Sequence, residues 1–326
     1  MPHRLRAWLT GETTSTLPTA AAPGRAGPIS PRPLPPTGEA LVTELKAEVE
    51  LRAAAVLELG RGSEEAAAVL RQVGELNTVV RRPPAAIQQA MEACRDPDTS
   101  LERIVNTFRR DPALAQSLLR HANAPFYSRG GASCGSLIEA AQRVGLAGLS
   151  SVLMSSLMES LLSQPGGSLG RLVQQVWTHS VRTAPIARKL AGVASLGPER
   201  VFTLGLLHDF GKLLILDRFA TYRAQGGRSL APDEFLTISL KALHGPLGGL
   251  AALTWSLDVE ASAAIATHDR GPLRYEGNLL SEVLCIAEWA DLTEIRERGW
   301  DYEGFWERAG LTLPIEDCRT ALAASD

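Results

Sequence analysis

The sequence predicts an all-α fold, on three observations. Apolar residues recur at helical spacing in almost every segment after Glu39, capping residues stand just ahead of several of these runs, and no alternating apolar–polar run of strand length appears. Material for a core is ample, with 45% of the 326 residues hydrophobic and 21% charged. The 33 Lys+Arg against 36 Asp+Glu leave a formal charge of −3, so no positive field draws the chain to nucleic acid or anionic lipid, and no DNA binding is expected.

Residues 1–38 are the exception to the helical pattern. They hold 8 of the 20 prolines, with four arginines and one glutamate, and cannot bury enough apolar surface to offset backbone ordering, so this stretch reads as a disordered arm. From Glu39 the character changes. Leu41, Leu45, Val49, Ala53 and Val56 form an apolar stripe, Gly60-Arg61-Gly62 interrupts it, and Ser63 can cap a second helix through Leu70. Residues 39–76 are thus an amphipathic helical extension, suited to packing on the main domain or to dimerisation.

The capping signals continue downstream. Thr99 with Glu102 forms a capping box before Leu101, Ile104, Val105 and Phe108. Asp111-Pro112 places an N-cap and a first-turn proline before Leu114, Leu118 and Leu119, and Ser136 with Glu139 repeats the box ahead of Ile138, Ala141 and Val144. The apolar stretch Val144 to Leu162 contains Ser150, Ser151, Ser155, Ser156 and Glu159 and reads as a buried helix, not a membrane span. Pro165-Gly166-Gly167 marks a turn, after which Leu172, Val176, His179, Thr183 and Leu190 share one stripe. Pro198 opens a further helix, and Gly245-Pro246 reads as a helix break after His244. Trp289, Trp300 and Trp306 fall in C-terminal helices and are expected to pack the end of the domain.

The cysteines Cys94, Cys134, Cys285 and Cys318 are far apart, with no CxxC spacing, which excludes a zinc ribbon and suits a reducing compartment. With no apolar export segment near Met1, the expected location is the cytoplasm, with no membrane association.

The chemistry concentrates in the second half. His208-Asp209, followed by Gly211 and Lys212, lies in the apolar run Leu204 to Leu216. A neutral imidazole and a carboxylate side by side can reach one metal, Gly211 admits a neighbouring backbone, and Lys212 can hold a phosphate oxygen as a point charge. The dipeptide taken alone is more readily a hydrogen-bonded pair at a helix end within the core. His179, His244, His268 and Asp291 stand on or beside the other apolar helices, and a lone buried carboxylate such as Asp291 would be costly. These six residues (His179, His208, Asp209, His244, His268 and Asp291) could converge on a divalent metal pair (Mn, Fe, Zn or Mg), which would lower the pKa of water for attack on a phosphoester. Asn123 to Tyr127, near Arg120 and Arg129, offers aromatics to a base, but without a basic stripe core and turn roles are the expectation.

The order His179, His208-Asp209 with Gly211-Lys212, Asp291 resembles the H…HD…D pattern of the HD superfamily of metal-dependent phosphohydrolases. A more specific resemblance lies upstream. Arg109 to Ser128, RRDPALAQSLLRHANAPFYS, is similar to the RDPALxxxLLRLANSxFY signature of the HDOD family. Ser136 to Gly145 and His244 to Trp255, SLIEAAQRVG and HGPLGGLAALTW, resemble the segments that follow in that family. The resemblance implies a two-lobed helical bundle, with an N-terminal lobe over residues 77–165, an HD-like C-terminal lobe over 166–298 and a helical tail over 299–326.

It also implies a bacterial signal-transduction output module that works through contacts with signalling proteins, a family role without established turnover. Two other readings share the same pocket: a metal-dependent phosphohydrolase on a nucleotide or phosphoester, and a non-catalytic sensor of a nucleotide second messenger with Lys212 as phosphate contact. The paired histidines of HD-GYP phosphodiesterases appear here as His268-Asp269, and Arg270 to Gly277 replaces the GYP segment, which speaks against cyclic-di-GMP hydrolysis.

Overall fold

A computed structural model of the protein describes residues 31–59, 64–74, 85–96, 98–128, 133–161, 167–226, 233–270, 273–295 and 302–324. Among these residues the chain is helical, and the β pairing is a single parallel bridge between Arg32 and Tyr275. No described helix is long and apolar enough to cross a membrane. Most of the arm (residues 1–30), Gly60 to Ser63, Leu162, Pro165-Gly166 and Trp300 lie outside the described residues.

The chain divides into two compact units, one spanning Arg82–Ser163 and the other built from the residues on both sides of it. The larger unit begins with α1 (Gly38–Leu59) and α2 (Glu64–Gly74). Leu41, Leu45, Val49 and Val56 of α1 are fully or almost fully buried, as their helical spacing predicts.

The smaller unit holds α3 (Ala85–Arg95), α4 (Leu101–Arg109), α5 (Pro112–Ala122), the single turn α6 (Pro125–Ser128) and α7 (Leu137–Leu161). Ile104, Phe108, Leu114, Leu118, Leu149 and Leu153 form its core. Asp111 caps α5 by accepting from the amides of Ala113 and Leu114 at 2.9 and 3.2 Å, and Ser136 Oγ accepts from Glu139 N at 3.2 Å. The cap of α4 differs from the one the sequence predicts. Ser100, not Thr99, accepts from the Arg103 amide at 3.3 Å, because Thr99 Oγ1 already donates to Asp96 Oδ2 at 2.7 Å. Gly145, at φ 70°, splits α7 into two segments, a backbone state that only glycine adopts without strain. Asn123, from the NAPFY run, brackets the main chain of Cys134 with both its amide atoms, at 2.8 and 3.0 Å, so it is a loop staple.

The chain returns to the larger unit as α8 (Gly167–Leu190), α9 (Pro198–Leu207), α10 (Phe210–Ala224), α11 (Asp233–Thr254), α12 (Val259–Thr267), α13 (Leu279–Ile295), α14 (Tyr302–Ala309) and α15 (Ile315–Ala323). α11 packs against α10, α12 and α1, while α13 packs against α8 and α12. The proline in α11 does not break it: the helix runs from Asp233 through Pro246 to Thr254. Buried Glu282 of α13 holds the tail that joins α14 to α15, accepting from Thr312 N, Thr312 Oγ1 and Leu313 N at 2.7, 2.8 and 3.0 Å. Trp289 stacks on Phe305 with ring centroids 4.4 Å apart.

Two glycines mark where α10 meets α11 and α11 meets α12 backbone to backbone. A Cβ on Gly211 would lie 1.9 Å from the carbonyl oxygen of His244, and one on Gly245 would lie 2.6 Å from that of Ala266. Both gaps are far inside van der Waals contact and end on backbone, which cannot rotate away. Gly211→Ala should therefore push α10 and α11 apart and lower stability by about 3 kcal/mol. Gly192→Ala, where a Cβ meets nothing within 4 Å, should stay within about 0.5 kcal/mol of the parent in urea unfolding.

Candidate metal centre

His208 and Asp209 sit at the joint between α9 and α10. His208 keeps helical angles as the C-cap that follows Leu207 of α9, whereas Asp209, at φ −95° and ψ 7°, precedes α10. An aspartate at this position ordinarily caps the following helix. Asp209 makes no side-chain cap hydrogen bond, and its carboxylate turns inward, buried to 1% exposure.

Four imidazoles face it. His179 comes from the middle of α8, His208 from the joint, His244 from α11 and His268 from the end of α12. Three of them lodge Nδ1 against a backbone carbonyl: His208 on Gly205 at 2.7 Å, His244 on Leu240 at 2.8 Å and His268 on Ile265 at 2.7 Å. A carbonyl only accepts, so the hydrogen-bond network assigns the proton to Nδ1, and in the neutral ring Nε2 presents its lone pair to the centre. This outer tethering is the arrangement found behind metal-bound histidines. His179 is held the same way by the carboxylate of Asp291, with Nδ1 and Oδ2 2.8 Å apart.

The two oxygens of Asp209 divide the cluster. Oδ2 lies 3.7 Å from His179 Nε2 and 3.6 Å from His208 Nε2, while Oδ1 lies 3.7 Å from both His244 Nε2 and His268 Nε2. Glu288 spans the same two halves, with Oε1 4.0 Å from His179 Nε2 and Oε2 3.9 Å from His268 Nε2. The Nε2 atoms of His179 and His208 are 3.3 Å apart.

Donors held about 2.0–2.2 Å from a tetrahedral ion are separated from one another by about 3.3–3.6 Å, close to these distances. The ligand atoms of His179, His208, Asp209 and Glu288 lie within 4.8 Å of one another, as do those of Asp209, His244 and His268. Asp209 Oδ1 and His268 Nε2 are buried and have no hydrogen-bond partner. The nitrogen and oxygen donor set with two unpartnered inward atoms fits a divalent transition ion, for which imidazole and carboxylate are the ordinary ligands.

The charge state without a metal follows from burial and neighbours. Burial pushes His208 well below its ordinary value, and burial together with the Lys212 and His268 charges takes His244 down to about 3. Burial works against the Asp209 carboxylate, but Lys212 and His208 outweigh it and hold the group well below the usual carboxylate range. His268 goes the other way. Burial opposes its charge, yet the carboxylates of Asp209 and Glu288 raise it to about 9. A metal bound in the His244/His268 half would thus take the place of the His268 proton.

Five of the six candidates from the sequence turn a donor atom toward this centre. The sixth, Asp291, stands behind His179 with Oδ1 3.0 Å from Arg182 Nε, and its place near the centre is taken by Glu288, three residues earlier on α13. The signal for Glu288 was present as an i,i+3 pair of acids on one face of an apolar helix. Lys212, expected as a phosphate contact, donates to Asp209 Oδ2 at 2.6 Å.

The sequence profile of the HDOD domain matches residues 80–270, more than half of the chain. The protein belongs to the HDOD domain family. No curated protein matches it, but solved structures share the fold. A crystal structure named a "putative metal-dependent phosphohydrolase" from Shewanella amazonensis is 20% identical, with a TM-score of 0.61 over 79% of this chain and 95% of its own. An HDOD domain protein of unknown function from Geobacter sulfurreducens is 20% identical, with a TM-score of 0.55 over 85% and 91% of the two chains. A "putative signal transduction protein" from Marinobacter aquaeolei is 15% identical, with a TM-score of 0.54 over 86% and 64%.

Removing the group behind His179 tests its orienting role. Asp291→Asn keeps the shape but loses the charge, and should weaken metal binding about 10–100-fold, measured by competition against a chromophoric chelator.

Proposed function

We propose that this HDOD protein is a signal-transduction module whose larger unit would hold two divalent ions, with His179, His208, His244, His268, Asp209 and Glu288 as the residues that would hold them, and that its output passes through contacts with other signalling proteins. The observation that carries the reading is the division of the Asp209 carboxylate, with Oδ2 toward His179 and His208 and Oδ1 toward His244 and His268. Bound divalent ions there supply charge that polarises a phosphoester and lowers the pKa of water. The chain's own residues orient and enclose: backbone carbonyls and Asp291 fix the rings, and Lys212 offsets the buried charge of Asp209.

The enclosure favours holding over turnover. His208, Asp209 and His268 are at most 1% exposed, and the side chains of His179 and Glu288 reach solvent at only 10% and 19%. Lys212 is spent on Asp209, which leaves it poorly placed to receive a phosphate. A second reading, a metal-dependent phosphohydrolase, draws on the complete donor set and on the description carried by the Shewanella amazonensis structure.

Elemental analysis separates these readings from a site built only for packing. The purified protein should carry two divalent ions per chain, and folded Asp209→Ala should carry none. Loaded with Mn or Zn, the parent should hydrolyse bis(4-nitrophenyl) phosphate no faster than Asp209→Ala. Turnover that depends on Asp209 selects the phosphohydrolase.

A further inference from the structure

Pro246 lies inside α11, two residues after His244. A proline has no amide hydrogen, so the carbonyl four residues back, that of Ala242, loses its helical donor. Ala242 is 4% exposed, and a buried carbonyl without a donor is costly. The missing donor comes from far along the chain. Arg52 Nη1 of α1 donates to Ala242 O at 3.0 Å, while its Nε is held by Glu48 Oε1 at 2.6 Å. The side chains of Arg52 and Glu48 are 13% and 12% exposed. The rest of α1 lies close enough to fix this contact, since a Cβ on Gly249 of α11 would come within 3.0 Å of Leu45 Cδ1.

α1 lies wholly before residue 80, where the match to the family profile begins. We infer that Arg52 is a positioning residue for His244: α1 supplies the hydrogen bond that Pro246 takes from the turn of α11 and thereby sets the His244/His268 half of the metal centre. The inference rests on the two-ion reading above. His244 depends on that turn directly, because its Nδ1 is anchored on the carbonyl of Leu240, with Lys241 O at 3.2 Å, and these are the residues just before Ala242. Without a donor on Ala242, the Leu240–Pro246 turn is free to rotate its carbonyls outward, and the imidazole goes with them. The His179/His208 half has no part in this turn and should keep its ion.

The experiment uses the full chain and four forms: parent, Arg52→Ala, Arg52→Lys and the double variant Arg52→Ala/Pro246→Ala. Two quantities are read, bound Zn per chain after equilibration and amide hydrogen exchange across residues 240–249. In Arg52→Ala the Zn content should fall from two to one, and exchange across 240–249 should quicken by about tenfold, with helix content by circular dichroism unchanged. Arg52→Lys, which still offers a donor, should recover part of the loss. The double variant is the sharpest arm, because alanine at 246 restores an amide hydrogen to Ala242 O; it should regain the second ion without any arginine.

If Arg52→Ala keeps two ions and parental exchange, the inference is overturned. It is also overturned if the double variant binds no better than Arg52→Ala, since the loss would then be general destabilisation. Should Arg52→Ala fail to fold, Arg52→Lys and the double variant, each compared with the parent, decide between the same two outcomes. If the parent itself holds fewer than two ions, the two-ion reading fails, and exchange across 240–249 with its rescue by Pro246→Ala alone decides the role of Arg52.

Discussion

The carboxylate of Asp209 imposes the constraint around which the larger unit is built. It is almost completely buried and makes no capping bond to its own helix, so its charge must be met by side chains from elsewhere. A buried charge without partners is untenable by several kcal/mol, roughly 3–5 when one partner of a pair is removed. Lys212 answers one oxygen directly, and the inward nitrogens of four histidines surround both. Those histidines come from separate helical segments, so satisfying one carboxylate obliges α8, α9, α10, α11 and α12 to meet at one point.

Meeting there requires backbone to approach backbone. Gly211 against His244 and Gly245 against Ala266 remove the Cβ atoms that would hold the helices off, and Gly205 does the same for α9 against Ala184 of α8. In the same crowded interior, the Nδ1 atoms of His208, His244 and His268 each find a carbonyl within their own helix or joint, while that of His179 finds the carboxylate of Asp291. A core of this kind is organised for charge and ligation more than for stability, and a hydrophobic filling of similar volume would commonly be as stable or more so.

The segment after His268 shows how the rest of the chain supports the centre. Arg32 pairs through its backbone with Arg274 and Glu276 on one side, while Arg270 donates to the carbonyls of Ala309 and Gly310 on the other. Glu282, on the helix that carries Glu288 and Asp291, anchors the C-terminal tail. Elements from both ends of the described chain therefore bear on the same half of the site, α1 through Ala242 and the tail through the segment that follows His268.

What the sequence determined by itself was the helical architecture and most of the donors. Apolar spacing located the helices, Asp111 and Ser136 announced their caps, and an imidazole or carboxylate in an apolar run marked a residue that needed a partner. These signals are local, carried within one or two helical turns. Two outcomes were local competitions between partners that the patterns left open: the cap of α4 fell to Ser100 while the Thr99 hydroxyl went to Asp96, three residues before it, and Lys212 went to Asp209, one helical turn away. Tertiary structure decided the rest. Whether Glu288 or Asp291 faces the centre depends on the rotation of α13 against α8, which an i,i+3 pair of acids leaves open. The proline at 246 reads locally as a break, since its lost hydrogen bond is visible in sequence and its replacement is not: the donor, Arg52, is 190 residues away and reaches Ala242 only once α1 has packed on α11.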